Sequence, residues 1–475
     1  MNGLIDERVQ ATLDYGRVLA ESQKWEGFVD GIDEDVVRFQ TAILLENMDR
    51  FLTNMDESTK IANIGNFDKF ALGMIRQIFP SLAALDLFSV QPMLGPVGLV
   101  FYLKFLYGKT KGRVVGGSTV FETAGATYYS SEIVDGENIG TGDASATVLV
   151  ASLSELPVKA GTVVITTANA AGTTLTATDN GAGGFSGDVS AGSIDYRTGS
   201  LTVTWTSAPG NGTAILATYE YDMEMSSNIP EIDLALTSSP VEAKPRKLRA
   251  RWSVEAQQDL KNVHGVDAEL ELVSALGHEI KFEIDLELAK MAETVAYNSI
   301  TWGLAPWDRK TPTAVSWNDH KQSLFDYLVA LDDVLFRLTG RSHVTWFMCG
   351  SEVTNIISTL PGFVAVTPPP RSRGVHLLGR LNGMWDIYKN ANMDGFTGTV
   401  PGSTLSTITG ARMIVGGFKG DSFLEAGIVF APYIMLYTTP TIGLDDFAQR
   451  KGMASRYGKK VVEQKFYIKG GIIHS

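Results

Sequence analysis

Apolar residues recur at spacings of three and four from Leu270 through Val273, Gly277, Ile280, Ile284, Leu288 and Met291 to Val295. This pattern predicts one long helix with a single apolar stripe. Glu269, Glu271, Glu279, Lys281, Glu283, Asp285, Glu287, Lys290 and Glu293 fill the rest of its surface, and Asp267 is placed to cap its N-terminus. At about 1.5 Å per residue the helix is roughly 45 Å long, so a core can cover only one side of it. A shorter helix, Ser253 to Val263, precedes it across the breaker Gly265. Before that, Lys247-Leu248-Arg249-Ala250-Arg251-Trp252 alternates charged with apolar residues, which predicts a strand with one basic face. A strand feeding a rod suits a thin, wide subunit.

Upstream, Val36, Val37, Phe39, Ile43, Leu44, Met48, Phe51 and Leu52 give a helical stripe between Asp35 and Asn54. Phe70 to Phe79 is a second apolar stretch ending at Pro80. Two prolines and two glycines between Val90 and Gly98 force an extended, turn-punctuated path, and Leu99 to Tyr107 follows as a strand. From Gly116 to about Met225 short strands (163–165, 201–205, 214–219) alternate with turn clusters such as Asp179-Asn180-Gly181, as in a small β-sandwich or barrel. Further on, 318–338 reads as an amphipathic helix and 344–348 as a buried strand; Ser351 is placed to cap a short helix through Leu360. Strands are expected at 385–388, 413–416, 428–430, 434–437 and 466–468. Helices and strands alternate irregularly, so the expected class is α+β.

Composition narrows the options. The chain has 475 residues, 44% of them apolar and 20% charged, as in soluble globular proteins. A net charge of -13 argues against a phosphate-gripping surface. One cysteine, Cys349, leaves no intramolecular disulfide framework and fits a reducing cytoplasm. The start of the chain lacks the basic and apolar segments of a signal peptide, and no apolar run is long enough to span a bilayer.

Catalytic patterns break off wherever they begin. His278-Glu279 lacks the second histidine, because Phe282 stands there, and Gly420-Asp421-Ser422-Phe423 is followed by Leu424 rather than glycine. Gly140-Thr141-Gly142 and Gly181-Ala182-Gly183 lie in β-rich sequence without a strand-to-helix context. Six histidines and one cysteine show no metal-ligand spacing. No catalytic residue, metal ligand or cofactor is therefore expected. The basic residues Lys244, Arg246, Lys247, Arg249 and Arg251 are better explained by pairing with a neighbouring subunit's carboxylates than by nucleic acid, and Lys247, Arg249, Arg251 and Trp252 are the expected inter-subunit contacts.

Three collinear blocks carry a family resemblance. Val90-Gln91-Pro92-Met93 with Gly95-Pro96-Val97-Gly98 and the strand to Lys109 resembles the N-terminal arm region of the major capsid proteins of T-even-type tailed phages. Glu242-Ala243-Lys244, Ser253-Val254-Glu255 and Val263-His264-Gly265-Val266-Asp267 resemble that family's entry into its spine helix. Gly417-Phe418-Lys419-Gly420, Ala431-Pro432-Tyr433 and Ser455-Arg456-Tyr457-Gly458 resemble its C-terminal segment. The resemblance implies an HK97-type α+β fold: an N-terminal arm or assembly segment (1–69), its continuation and the start of an extended loop (70–116), and a β-rich insertion on that loop (117–228). The return strand and spine helix of the peripheral domain (229–300), a mainly axial domain (301–440) and returning C-terminal strands (441–475) follow. It also implies a homo-oligomer of hexamers and pentamers closing into an icosahedral head around double-stranded DNA, held without sequence-specific binding. Vertex, portal, scaffold and decoration proteins would be the partners, no membrane is involved, and assembly takes place in the host cytoplasm. Leu19-Ala20-Glu21 resembles the sites at which a prohead protease cuts after glutamate. A pentameric vertex paralogue or a cargo-enclosing nanocompartment of the same fold, and outside shells a β-rich hydrolase or adhesin, are the other readings.

Overall fold

The computed structural model describes residues 14–22, 24–32, 34–56, 78–120, 126–226, 228–310, 312, 315–340, 342–367, 374–398, 406–420, 425, 427–439, 441–443 and 448–473. The apolar stretch expected over Phe70 to Ile75 lies outside these residues. The chain forms two compact units, one of Met1–Tyr102 with Ser238–Ser475, the other of Leu103–Thr237. The elements that matter below are α1 (Asp35–Asp56), β1 (Val97–Tyr107), β2 (Ile232–Glu242), β3 (Lys244–Ser253), α2 (Val254–His264), α3 (Ala268–Val295), α4 (Trp317–Thr339), β4 (Ile428–Thr438) and β5 (Ala448–Val461).

In the first unit a sheet is built in the order Ser89–Val90, β4, β5, β3, with β5 antiparallel to both of its long neighbours. Helix α3 lies against this sheet. Asp267 caps it by accepting from Glu269 N at 2.9 Å, and it runs for 28 residues. Val273, Gly277, Ile280, Ile284 and Leu288 of the expected stripe are buried, while Leu270 is exposed. Helix α1 is pinned by two buried amides: Gln40 donates to Val90 O (3.1 Å) and Asn47 to Met93 O (2.9 Å). A second, eight-stranded sheet carries α4 over a separate core that includes Leu324, Leu328, Leu331 and Leu335. Helix α4 starts at Ser316, whose hydroxyl accepts from Asp319 N, and stops at Gly340, whose φ of 69° only glycine adopts easily.

The second unit contains a five-stranded and a three-stranded antiparallel sheet. Ile165, Ala177, Leu201, Val203, Trp205, Ile215 and Tyr219, from alternating positions of strands in both sheets, share one core.

The structure departs from the sequence reading at three points. The residue pattern did not place the 14-residue strand β5, because Arg450, Lys451, Arg456, Lys459 and four glycines or alanines disguise its alternation. Ser351 does not cap: it is the first residue of a helix, Ser351–Ile357, whose N-cap is Gly350 without a side-chain bond. Asp285 and Glu293 were counted with the polar surface of the long helix, yet both are buried. Each satisfies backbone N–H groups from another segment: Asp285 Oδ1 accepts from Ala84 N at 3.2 Å, and Glu293 Oε1 from Asp394 N (2.8 Å) and Gly395 N (2.9 Å).

In unassembled protein, Ile284→Ala should cost about 2–5 kcal/mol, since the side chain is fully buried. Leu270→Ala should stay within about 0.5 kcal/mol. Denaturant titration of the two variants checks the contrast, and equal losses would refute this account of the stripe.

Candidate assembly surface

Strand alternation divides the basic residues of β3 into two sets. The even positions face α3. Arg246 donates to Glu283 (2.8 Å) and to Glu287 (2.5 Å), and its guanidinium lies 5.6 Å from the Tyr457 ring centre. β5 supplies the same face: Lys459 reaches Glu287 at 2.6 Å, the Tyr457 hydroxyl donates to Glu287, and Lys451 meets Glu269 at 2.6 Å. Burial pushes the Glu287 carboxyl up, but Lys459, Tyr457 and Arg246 together outweigh it and hold the carboxyl below its ordinary value. Beside this cluster an open groove of about 560 Å³ runs along α3, with Leu286, Met291 and Val295 among its lining residues.

The odd positions face outward. Lys247, Arg249 and Arg251 are exposed and stand opposite Ala454, Gly452 and Arg450 of β5. Arg251 and Arg450 both have contacts within the chain. Trp252 belongs to the other set: it is 7% exposed, and its indole N–H is shared between Gln257 (3.1 Å) and Gln449 (2.8 Å) of the same chain. Of the five basic residues read as one face, Arg246 is therefore used inside the subunit, and Lys244, Lys247, Arg249 and Arg251 are exposed. Sequence reasoning missed Lys451, Tyr457 and Lys459 as their counterparts. The signal was their two- and six-residue spacing on one strand face, against the four-residue spacing of Glu283 and Glu287 on a helix.

Two elements carry apolar residues that the chain itself does not cover. Helix α2 has no buried residue, and Leu260, Val263, Val266 and Leu270 around its junction with α3 are exposed. Among the described residues, strands β1 and β2 pair as a two-stranded ribbon, with residues 117–120 bonded along the end of β1, where Tyr107 N donates to Ser118 O and Val120 N to Phe105 O, both at 2.9 Å. Val97, Leu99, Ile232 and Leu234 on it are exposed, and Phe101, Leu103 and Phe105 are half-buried. Near the N-terminus, residues 14–20 are helical, with Leu19 against the core, Ala20 fully buried and Glu21 exposed and bonded to Arg17 at 3.1 Å.

Among the described residues no group of His, Cys, Asp and Glu is arranged to hold a metal ion. Cys349 is buried in the second core, where burial pushes its thiol up. No helix among the described residues is long and apolar enough to cross a membrane.

A long helix fixed to a sheet, preceded in the chain by elements whose apolar residues are exposed, is an architecture suited to contact with other chains. The sequence model of one family, described as major capsid protein Gp23, matches residues 64–473, so the chain belongs to the Gp23 major capsid protein family. The major capsid protein of Vibrio phage KVP40 is 26% identical over 453 residues, spanning 86% of this chain and 78% of that one. That of Enterobacteria phage T4 is 26% identical over 419 residues, spanning 82% and 74%. Among solved structures, the capsid of Myoviridae phage XM1 aligns with a TM-score of 0.33 and 10% identity over 54% of this chain and 81% of that one. The chain is a structural protein of the tailed-phage head shell, and it acts as an oligomer in the virion capsid.

Burial raises the Asp285 carboxyl to about 7, against the bonds from Ala84 and Ala83 and the charge of Lys281, which lower it; Asp86 adds to the rise. A raised carboxyl stabilises the fold fully below the ordinary carboxylate pKa and loses that contribution as pH rises towards about 7. The swing is at most about 4 kcal/mol. Asp285→Asn keeps an acceptor for Ala84 N, so the variant should melt higher than the parent at pH 8 and show a flatter melting profile between pH 4 and 7. An unchanged profile would show that Asp285 is not the titrating group.

Proposed function

We propose that the protein builds an HK97-type icosahedral shell from hexamers and pentamers, with α3 as the spine helix and the β1–β2 ribbon as an extended loop lying on a neighbouring copy. The observation that carries this reading is the ribbon. Two strands alone are marginally stable in water, yet this pair is 11 residues long on each side and rich in Leu, Phe and Tyr with little cover. A second copy lying against it would complete its burial. Many such contacts repeated around closed rings give strong avidity from modest individual energies.

On this reading the 117–228 segment is an insertion carried on the extended loop, the 301–440 segment lies mainly in the axial domain, and the role is structural rather than enzymatic. Packaged double-stranded DNA is enclosed without sequence-specific contacts, which suits a net-negative wall. Assembly takes place in the host cytoplasm, with portal, scaffold, vertex and decoration proteins as partners. Removal of the N-terminal segment after Glu21 belongs to the same proposal; because Ala20 is buried, cutting there requires the 14–20 turn to open first.

Electron microscopy of the purified protein, with its assembly partners where it needs them, should show closed shells. Leu99→Asp and, separately, Leu234→Asp should abolish them while leaving the circular dichroism spectrum and melting temperature of the unassembled chain within error of the parent. Shells formed normally by both variants would remove the ribbon from the interface. Mass spectrometry of protein from mature particles should find an N-terminus at Ser22; particles retaining residues 1–21 would refute the cleavage.

A further inference from the structure

Charge is distributed unevenly along this acidic chain. The unit Leu103–Thr237 holds 14 Asp and Glu against 6 Lys and Arg, a net charge of -8 out of -13 for the whole protein. Its surplus is concentrated where strand 214–220 ends. There Lys159 is paired with Glu132 and lies 3.8 Å from Glu220, with Asp222 close by and Glu224 exposed in the next turn. Three carboxylates act on one ammonium, and Lys159 is held above its ordinary value by Glu132 first and by Glu220 and Asp222 after it.

The other unit carries the opposite pattern on the outward face of β3 and β5. Lys247 and Arg249 project from β3, and Arg456 from β5 lies over the Tyr433 ring at 5.6 Å. Ala454 and Gly452, directly opposite Lys247 and Arg249, are small, so the two cations stand above a low floor. Pro245 is opposite Arg456, which places Lys247 diagonally across from it. The carboxylates of α3 lie against the other face of this sheet, where Arg246, Lys451 and Lys459 already take them up. β3 is also the last strand on its side of the sheet.

Resting on the shell reading above, we propose that this cationic face docks the acidic patch of a second copy's Leu103–Thr237 unit, with Lys247, Arg249 and Arg456 meeting Glu132, Glu220, Asp222 and Glu224. Charge complementarity decides the occupant. A chain whose largest anionic surplus lies on one unit and whose outward cations lie on another repels a like-oriented copy and attracts one displaced by a subunit. Contacts of this kind fix register and steer encounter more than they add affinity, and salt weakens them.

The test is zero-length carbodiimide cross-linking of assembled particles made from an equal mixture of ¹⁴N- and ¹⁵N-labelled protein. The expected result is an isotopically mixed amide linking Lys247 to Glu220, Asp222 or Glu224. Lys247→Glu with Arg249→Glu should slow assembly at least tenfold at low salt, and adding Asp222→Lys with Glu224→Lys should restore most of that rate. Particles that form normally, but whose Lys247 links to other carboxylates, to its own copy or to nothing, overturn the docking while leaving the shell reading intact. Failure of the parent protein to form particles at all overturns the shell reading. If removing nucleic acid from the assembly mixture, and not the charge reversal, is what slows the parent, the face is a DNA contact and the proposal is wrong.

Discussion

The fixed relation between α3 and the β3–β5 sheet depends on one carboxylate, Glu287. It receives the Arg246 guanidinium from one strand and both the Tyr457 hydroxyl and Lys459 ammonium from the next. Apolar contact alone would let a 28-residue helix slide or roll on a sheet, because dispersion and burial are non-directional. A half-buried carboxylate with three donors on two strands allows one register only. Glu269 and Lys451 repeat the arrangement near the helix start, so the rod is fixed at two places along its length. A subunit whose copies must overlap in a constant geometry needs this kind of rigidity more than it needs a large core.

The same economy explains where the chain leaves apolar surface uncovered. Helix α2 has no buried residue, and among the described residues β1 and β2 pair as a two-stranded sheet, joined at the end of β1 by a short bridge to residues 117–120. Short helices and two-stranded ribbons are poor free-standing structures, so both elements are suited to gain order from a surface laid against them. The buried carboxylates Asp285 and Glu293 act in the opposite direction, inside one copy. Each ties a distant segment to the long helix through backbone N–H groups, and each is raised above its ordinary value mainly by burial. The helix therefore organises its own subunit through two buried acids and two ion clusters.

Much of this was legible in the sequence wherever one local signal dominated. Period, cap and breaker agreed for α3, with Asp267 at its start and Gly265 before it; for α4 the period placed the helix, and its cap Ser316 was not read. The class and family followed from collinear blocks on both sides of the β-rich segment. Strand β5 was not legible, because its inward residues are Lys451, Ser455 and Lys459 as often as they are Met453 and Tyr457. A strand whose buried face is built to neutralise an acidic helix shows no hydrophobic alternation. For the same reason Asp285 and Glu293 passed as surface residues: nothing local distinguishes a carboxylate facing water from one facing the backbone of residues 200 or 100 positions away. Trp252 stands apart from Lys247, Arg249 and Arg251, since adjacent positions on a strand point to opposite faces.

Parity along β3 also settles how one short basic stretch can serve two ends. Arg246, Leu248, Ala250 and Trp252 are turned inward within the copy, and the odd positions are left to the outside. Shifting the register of β3 by one residue would exchange the two sets: Glu287 would lose the Arg246 guanidinium, and Lys247 and Arg249 would be turned towards α3. The pairing with β5 over ten consecutive residues, Lys244↔Tyr457 to Ser253↔Ala448, prevents that slip. The internal lock and the outward cationic face are thus two consequences of one strand register, and neither can be altered by moving the strand without losing the other.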